Sequence, residues 1–424
     1  MEAWRKSADM FRRLMTFDEA KKVIDEQLKL NTLGTEEISL LEAYNRVLAE
    51  DVVAALDIPP FSRSTVDGYA VKAADTFGAE ENQPVQLRIC GSVSVGEQPK
   101  ITVNPGEAAE IVTGAPIPAG ADAVVMVEDT DKDGDLLRVY RAATRDENVM
   151  KKGADIKKGE TALKAGQVLG ASEIGVLAAL GFAKAKVFKA PVVAVLSTGA
   201  EVTEPGKPLP AGKIYDINAY SLSTAVRESG GKPLYLGVIP DDKAALRTAL
   251  KRALASADIV VTSGGVSVGP KDLTPQTVAA LGEPGLLVCG IAVKPGKPTT
   301  IALVGEKPVF ALPGHPASAL LMFHLLVRPV IQRMSGRSAQ ENRVVKALAA
   351  TRMFSAKGRR TFVMVKLKTD ECKGLVAVPV ETGASGAITT LAKADGFVEI
   401  PENQQFIDSD EEVTVTLLKS TLFL

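Results

Sequence analysis

From Pro191 to about Gly336 the chain alternates short, continuously apolar runs with amphipathic stretches: VVAVLS, NAYSLSTAVRESGG, PLYLGVI, DKAALRTALKRALASA, DIVVTS, LTPQTVAAL, PVFALPG and PASALLMFHLLVRPVIQRM. Apolar strands separated by one-sided helices predict a doubly wound, mostly parallel sheet covered on both faces, an α/β domain over 189–335. Before it, from Pro59 to about Asp146, VQLRIC, AEIV and DAVVMVE are broken by Pro and Gly turns, which predicts a β-rich inserted domain over 59–146. After it, RVVKAL, TFVMVKL, LVAVPV, GFVEI and EVTVTLL predict a small closed or sandwich-like β domain over 336–424. The flanking pieces 1–58 and 147–188 read as a discontinuous helical and extended domain. Its first helix starts at a capping box, Thr16 to Glu19, with Val23, Ile24 and Leu28 following at helical spacing. A second helical pattern runs through SLLEAYNRVLAEDV, and a third through SEIGVLAALG, where Ser172 is placed to cap and Gly181 to terminate.

At 424 residues the chain exceeds what one hydrophobic core organises, so several domains are expected. Lys plus Arg number 50 against 51 Asp plus Glu, which leaves no global field to attract nucleic acid or anionic lipid. The apolar runs fall short of the ~18–20 residues a membrane span needs, and MEAWRKSADMFRRLM lacks a signal-peptide core. A soluble cytoplasmic protein without nucleic-acid or membrane partners is the expectation. Three dispersed cysteines, Cys90, Cys289 and Cys372, support neither a disulfide framework nor a zinc knuckle, and two histidines argue against a His-rich metal site.

In an open parallel sheet, ligands bind beyond the carboxyl ends of the strands. Four such loops carry chemistry here. VVAVLS leads to Thr198 and Glu201, PLYLGVI to Asp241 and Asp242, DIVV to TSGGVSVGPKD, and PVFALP to GHPAS at the start of a helix. The glycine-rich turn admits an anion to backbone N–H groups without Cβ interference, although it matches neither a P-loop nor a dinucleotide fingerprint. Carboxylates beside such a turn point to a Mg²⁺-phosphate site, and IAVKPGKPT adds Lys294 and Lys297 for an oxyanion. Each acid read alone is more often a cap or a solvated loop charge, and each lysine a surface charge; it is their convergence that carries weight. His324, inside the apolar ALLMFHLLV, reads as structural, whereas His315 in LPGHPAS is open between a ligand contact and a turn filler.

PPFSRSTVDGYAV, TGAPIPAGADAVV, LSTGAEV, IYDINAYSL, TSGGVSVGPKD, VKPGKPT and LPGHPASA, in this order, closely resemble the MoeA and gephyrin E-domain family of molybdopterin molybdenumtransferases. The resemblance runs from about residue 14 into the C-terminal β domain, where it is one of texture more than motif. It implies an elongated homodimer with a MogA-like α/β domain, the β-rich domain of one subunit facing the α/β site of the other. It also implies insertion of molybdate into adenylylated molybdopterin with Mg²⁺, releasing AMP, and it leaves open contact with other proteins of molybdenum cofactor biosynthesis. Matched by motif, Asp67, Thr113, Asp155, Glu201, Asp241 and Asp272 would be catalytic, with Glu201, Asp241 and Asp272 around the metal. Ser263, Gly264, Gly265 and Ser267 would cradle phosphate, and Lys294, Lys297, His315 and Ser318 would hold phosphate or molybdate.

Some relatives carry a second lysine where this chain has Gly290, and many have Asn where it has His315. The expectation is weaker molybdate binding or compensation by His315. Three alternatives stay open: an adenylyltransferase acting one step earlier, a tungstate-inserting paralogue, and a non-catalytic scaffold on the same fold.

Overall fold

A computed structural model of the chain describes residues 14–28, 30–265, 273–338, 343–380 and 389–418. The chain folds as two compact units, one running to Glu36 with Asn45–Ala49 and everything from Lys186 onward, the other comprising Glu37–Tyr44 and Glu50–Ala185. Helix α1 (Phe17–Gln27) starts with the expected capping box: Glu19 N donates to Thr16 Oγ1 at 3.2 Å, and Thr16 N donates to the Glu19 carboxylate at 2.8 Å. Phe17, Ala20 and Ile24 on its buried face reach the core of the first unit.

The second unit is built on a six-stranded sheet of β1 (Gly68–Val71), β2 (Val85–Val93), β3 (Glu107–Ile111), β4 (Ala123–Met126), β5 (Thr130–Asp133) and β6 (Leu136–Val139), ordered β4-β1-β3-β2-β6-β5. Its strands bury alternate residues on two faces, Tyr69, Val71 and Val125 on one and Ala70, Ile111 and Val124 on the other. Helix α2 (Ala171–Ala179) follows. Ser172 is not its cap, contrary to expectation: the N-cap is Gly170, whose N–H donates to Glu173 at 2.9 Å, leaving Ser172 exposed in the first turn. Gly181 does end it, since Gly181 N bonds Ala178 O and Phe182 N bonds Leu177 O, each at 3.0 Å, the paired bonds of a Schellman stop.

The helix expected over SLLEAYNRVLAEDV is absent. Only Leu40–Glu42 forms a single 3-10 turn, and Asn45 adopts φ 62°. Asn45 O accepts from the Arg337 guanidinium at 2.9 Å, and Leu48 bridges Val187, so long-range partners claim the backbone groups a helix would use internally.

In the first unit β7 (Val192–Thr198), α3 (Asn218–Glu228), β8 (Lys232–Ile239), α4 (Lys243–Ser256), β9 (Ile259–Ser263), α5 (Leu273–Ala279), β10 (Pro284–Cys289), β11 (Thr300–Val304), β12 (Lys307–Leu312) and α6 (Pro316–Met322) make the α/β layer. The sheet order is β8-β7-β9-β12-β11-β10. The first four strands in that order are parallel, as the sequence predicts, and β11 runs antiparallel to both its neighbours. The hairpins through β10 and β11 were not foreseen, because short apolar runs carry no sign of strand direction. Val193, Val195, Ile259, Val261, Phe310 and Leu312 pack on one face with α3 and α6, and Ala194, Leu196, Val260 and Val309 pack on the other with α4. From α6 the chain passes through a π-helical turn (Phe323–Val327) into α7 (Arg328–Met334). Pro329, which has no N–H to donate, stands where the regular ladder resumes.

Beyond α7, β13 (Val344–Ala349), β14 (Arg360–Asp370), β15 (Gly374–Pro379), β16 (Gly396–Ile400) and β17 (Glu412–Leu417) close on themselves through a β14–β16 pairing, forming a five-stranded barrel. Val365, Ala377, Val398 and Val415 fill its interior.

Candidate active site

Because β7, β8, β9 and β12 run parallel, all four sequence-flagged loops leave one edge of the sheet. The reversal at β11 turns β10 the same way, so the loop carrying Lys294 and Lys297 leaves that edge too. The connections leaving β7 and β9 depart in opposite directions across the sheet, to β8 on one side and to β10 on the other, which makes the β7–β9 boundary the switch point where a doubly wound sheet opens a crevice.

The glycine turn begins there. Gly264 and Gly265 both adopt positive φ, +94° and +64°, and Gly264 N donates to Leu312 O at 3.2 Å. A Cβ on Gly264 would fall 2.1 Å from Thr198 O, so the ends of β7 and β9 approach as closely as they do only because this position is glycine. Ser263 donates to Pro313 O at 3.0 Å, and Asn218 Nδ2 donates to Ser263 Oγ at 2.8 Å and to Gly314 O at 2.7 Å, tying β9, α3 and the loop before α6 together. Ser267 and Asp272 lie outside the described residues.

Glu201 and Asp241 stand exposed on the loops after β7 and β8. Ala200 N donates to the Asp241 carboxylate at 3.2 Å, which brings the second acid beside the backbone next to the first. Neither is paired with a lysine or arginine among the described residues. Asp242 instead caps α4, accepting from Ala245 N at 2.7 Å. No group of three or more His, Cys, Asp or Glu side chains placed to hold a metal occurs among the described residues.

Lys294 is exposed and Lys297 partly buried. Lys294 ends a two-residue strand, Val293–Lys294, that pairs in parallel with β14 of the barrel, and Lys297 lies in the loop after it. The strand that leads into this segment, β10, is four strands from β7, about 19 Å along the edge. His315 is exposed at the N-cap of α6 with no side-chain capping bond, and Ser318 is buried in the first turn of that helix. Gly290 has φ +82°, and a Cβ there would come within 2.8 Å of Leu14 Cδ2. His324 lines a separate cavity of ≈ 300 Å³ bordered by α1, the π turn and the barrel; burial pushes its imidazole down to about 4, so it is neutral near pH 7.

In the second unit, antiparallel pairing of β1 with β3 sets Gly68 opposite Ile111, so Asp67 and Thr113, just outside those strands, meet. One Asp67 oxygen accepts from Thr113 N at 2.7 Å and from Thr113 Oγ1 at 2.8 Å. The backbone N–H and then the hydroxyl of Thr113 hold the Asp67 carboxyl below the usual carboxylate range. Asp155 is exposed in the same unit, its N–H bonded to Ile58 O at 3.0 Å.

Three family models match successive parts of the chain: the MoeA N-terminal region (domain I and II) over residues 15–181, a probable molybdopterin binding domain over 194–333, and the MoeA C-terminal region (domain IV) over 346–418. A putative molybdopterin biosynthesis protein of Methanocaldococcus jannaschii is 34% identical over 421 residues, covering 97% of this chain and 100% of that one. The chain belongs to the MoeA family. A molybdopterin molybdenumtransferase of Nostoc is 36% identical over 390 residues, 91% of this chain and 89% of the relative. The crystal structure of a molybdopterin biosynthesis MoeA protein from Pyrococcus horikoshii superimposes with a TM-score of 0.78 at 44% identity, over 96% of this chain and 100% of that one.

The MoeA fold also contains polar residues that motif reading passed over. Asp216, buried just ahead of α3, accepts from Ser197 Oγ at 2.9 Å and Ala219 N at 3.0 Å, while Tyr235 OH lies 3.4 Å from its other oxygen. Burial, with Asp216 beside it, pushes the Tyr235 hydroxyl above its usual range. An Asp two residues before a helical stretch is a recognisable start signal. Asn218 Oδ1, Thr198 Oγ1 and Thr274 Oγ1 are buried without a hydrogen-bond partner among the described residues, a property no sequence pattern carries.

Proposed function

We propose that this MoeA-family chain is a molybdopterin molybdenumtransferase of molybdenum cofactor biosynthesis, which inserts molybdate into adenylylated molybdopterin and releases AMP. The observation that carries the reading is the meeting of a positive-φ glycine turn and the paired Glu201 and Asp241 loops beside the switch point of the parallel sheet. The names of relatives that match most of the chain support it.

Glu201 and Asp241 fit a hydrated Mg²⁺, which takes one or two carboxylates and keeps several waters, because both are exposed and unpaired with a basic side chain. Asp272 would complete that set. When bound, Mg²⁺ supplies charge neutralisation at the phosphoanhydride. Ser263, Gly264, Gly265 and Ser267 cradle phosphate in this reading. Lys294 and Lys297 hold the oxyanion toward the far end of the same edge, with His315 at the N-cap and Ser318 in the first turn of α6 between. Asp67, kept ionised by Thr113, serves as a fixed charge and acceptor rather than an acid, and with Thr113 and Asp155 it reaches the site of the other subunit in a homodimer. Cleavage of an anhydride by water or a molybdate oxygen then needs oriented charge more than a strong base.

Anaerobic incubation of the full chain with adenylylated molybdopterin, Mg²⁺ and molybdate, or tungstate in a parallel arm, should release AMP together with active cofactor. Asp241→Asn should slow that release at least tenfold. Pyrophosphate formed from ATP and molybdopterin, with no AMP from the adenylylated substrate, would assign the chain to the preceding adenylylation instead.

A further inference from the structure

Two hydroxyls at the switch point are closed to solvent and, among the described residues, have no hydrogen-bond partner: Thr198 Oγ1, on the last residue of β7, and Thr274 Oγ1, in the first turn of α5. Their residues are 5% and 0% exposed. They come from different elements yet converge on one turn, for a Cβ at Gly265 would lie 2.9 Å from the first oxygen and 2.8 Å from the second. Thr262 Oγ1 on β9 is likewise buried without a partner among the described residues but is not among the atoms nearest a Gly265 Cβ, whereas other hydroxyls nearby are bonded. Ser197 donates to Asp216, Ser263 to Pro313 O, and Thr277, one turn along α5, to Leu273 O at 2.6 Å. Folded proteins seldom leave a buried hydroxyl unbonded, and a pair facing the same glycine calls for a ligand as explanation.

We propose that Thr198 and Thr274 donate their hydroxyl protons to a tetrahedral oxyanion seated at the Gly264–Gly265 turn. A hydroxyl offers one proton in a short charge-assisted bond, and a glycine pair without Cβ atoms lets the anion reach both the backbone and the hydroxyls behind it. Phosphate of a nucleotide-bearing substrate and molybdate share this chemistry. The assignment rests on the reading of this edge as the substrate site, and it adds two gripping residues to those matched by motif.

The test compares full-length wild type with Thr198→Val and Thr274→Val, which replace each hydroxyl by a methyl of the same shape. Calorimetric titrations with molybdate alone, inorganic phosphate alone and AMP identify which oxyanion the turn takes. Each Val variant should weaken that binding about tenfold, equivalent to about 1.4 kcal/mol, while its urea midpoint stays level or rises, because an unbonded buried hydroxyl adds nothing to the unliganded fold. Thr198→Ser, which keeps the hydroxyl, should retain wild-type affinity. Unchanged affinity in both Val variants overturns the assignment while leaving the wider reading intact. A midpoint lowered in Thr198→Val and restored in Thr198→Ser overturns it as well, in favour of a structural water. Wild type that binds none of the three probes overturns the assignment together with the reading beneath it.

Discussion

Replacing Gly264 by alanine tests how tightly the fold and the candidate site are coupled. The new Cβ would lie 2.1 Å from Thr198 O and 3.0 Å from Thr198 Oγ1, so the ends of β7 and β9 must part by roughly 1 Å within a close-packed interior. Holding alanine at φ +94° costs about 1–2 kcal/mol, and overpacking of this kind about 1–3 kcal/mol more. A loss of about 2–5 kcal/mol is expected, read as the shift in urea-unfolding free energy by far-UV circular dichroism at constant m-value. Two companion substitutions separate the contributions. Gly305→Ala has φ +62° with nothing within 4 Å of its Cβ, and should cost only the conformational part, about 1 kcal/mol. Gly265→Ala meets side-chain hydroxyl oxygens that can rotate away, and should fall between. If Gly264→Ala costs no more than Gly305→Ala, the close approach of the two strand ends is not what selects glycine. AMP titration of the same variants should rank in the same order, since in the proposed site the separated strand ends lie beneath the phosphate.

Arg360 ties the start of α1 to the barrel, bonding both Asp18 oxygens at 2.8 and 2.7 Å and Glu402 at 3.0 Å, with Glu399 at 3.3 Å and its guanidinium over Phe17. Its side chain is 14% exposed while its partners are more open, so Arg360→Ala should cost about 2–3 kcal/mol in chemical unfolding. The same guanidinium holds the Asp18 and Glu402 carboxyls below their usual range. Their stabilisation is therefore fully present above the unfolded carboxylate range, about pH 4, and is lost as pH falls through the lower folded values. Acid unfolding of the Arg360 variant should start at higher pH than in wild type, and coincident acid limbs would count against the network. Thr113→Val removes one of the two bonds to Asp67, so the Asp67 carboxyl should titrate closer to its ordinary value by carbon-detected NMR; no movement would mean the backbone N–H alone sets it. Gly290→Lys should not restore a second cation to the loop proposed to hold the oxyanion. At φ +82° with Leu14 Cδ2 2.8 Å from the Cβ it should lower the unfolding midpoint, and a stable variant with tighter molybdate binding would refute that.

The order and type of the main elements were legible in the chain. Continuous apolar runs separated by one-sided helices specified a parallel sheet with two covered faces, and that sheet put the Glu201, Asp241 and Gly264 loops on one edge by direction alone. The Thr16–Glu19 cap is equally local, because a three-residue spacing contains everything the motif needs. What periodicity misses is partnership at a distance. Asp67 and Thr113 are 46 positions apart and meet only through the β1–β3 register. The 39–52 stretch carries helical spacing, yet it opens because Arg337 takes Asn45 O and Val187 pairs with Leu48. A hydrophobic pattern records how deeply each position is buried. Strand direction at β11, the unbonded hydroxyls of Thr198 and Thr274, and the glycine demanded at 264 depend on which distant atoms arrive at the same place, and that is decided only when the sheet closes its register.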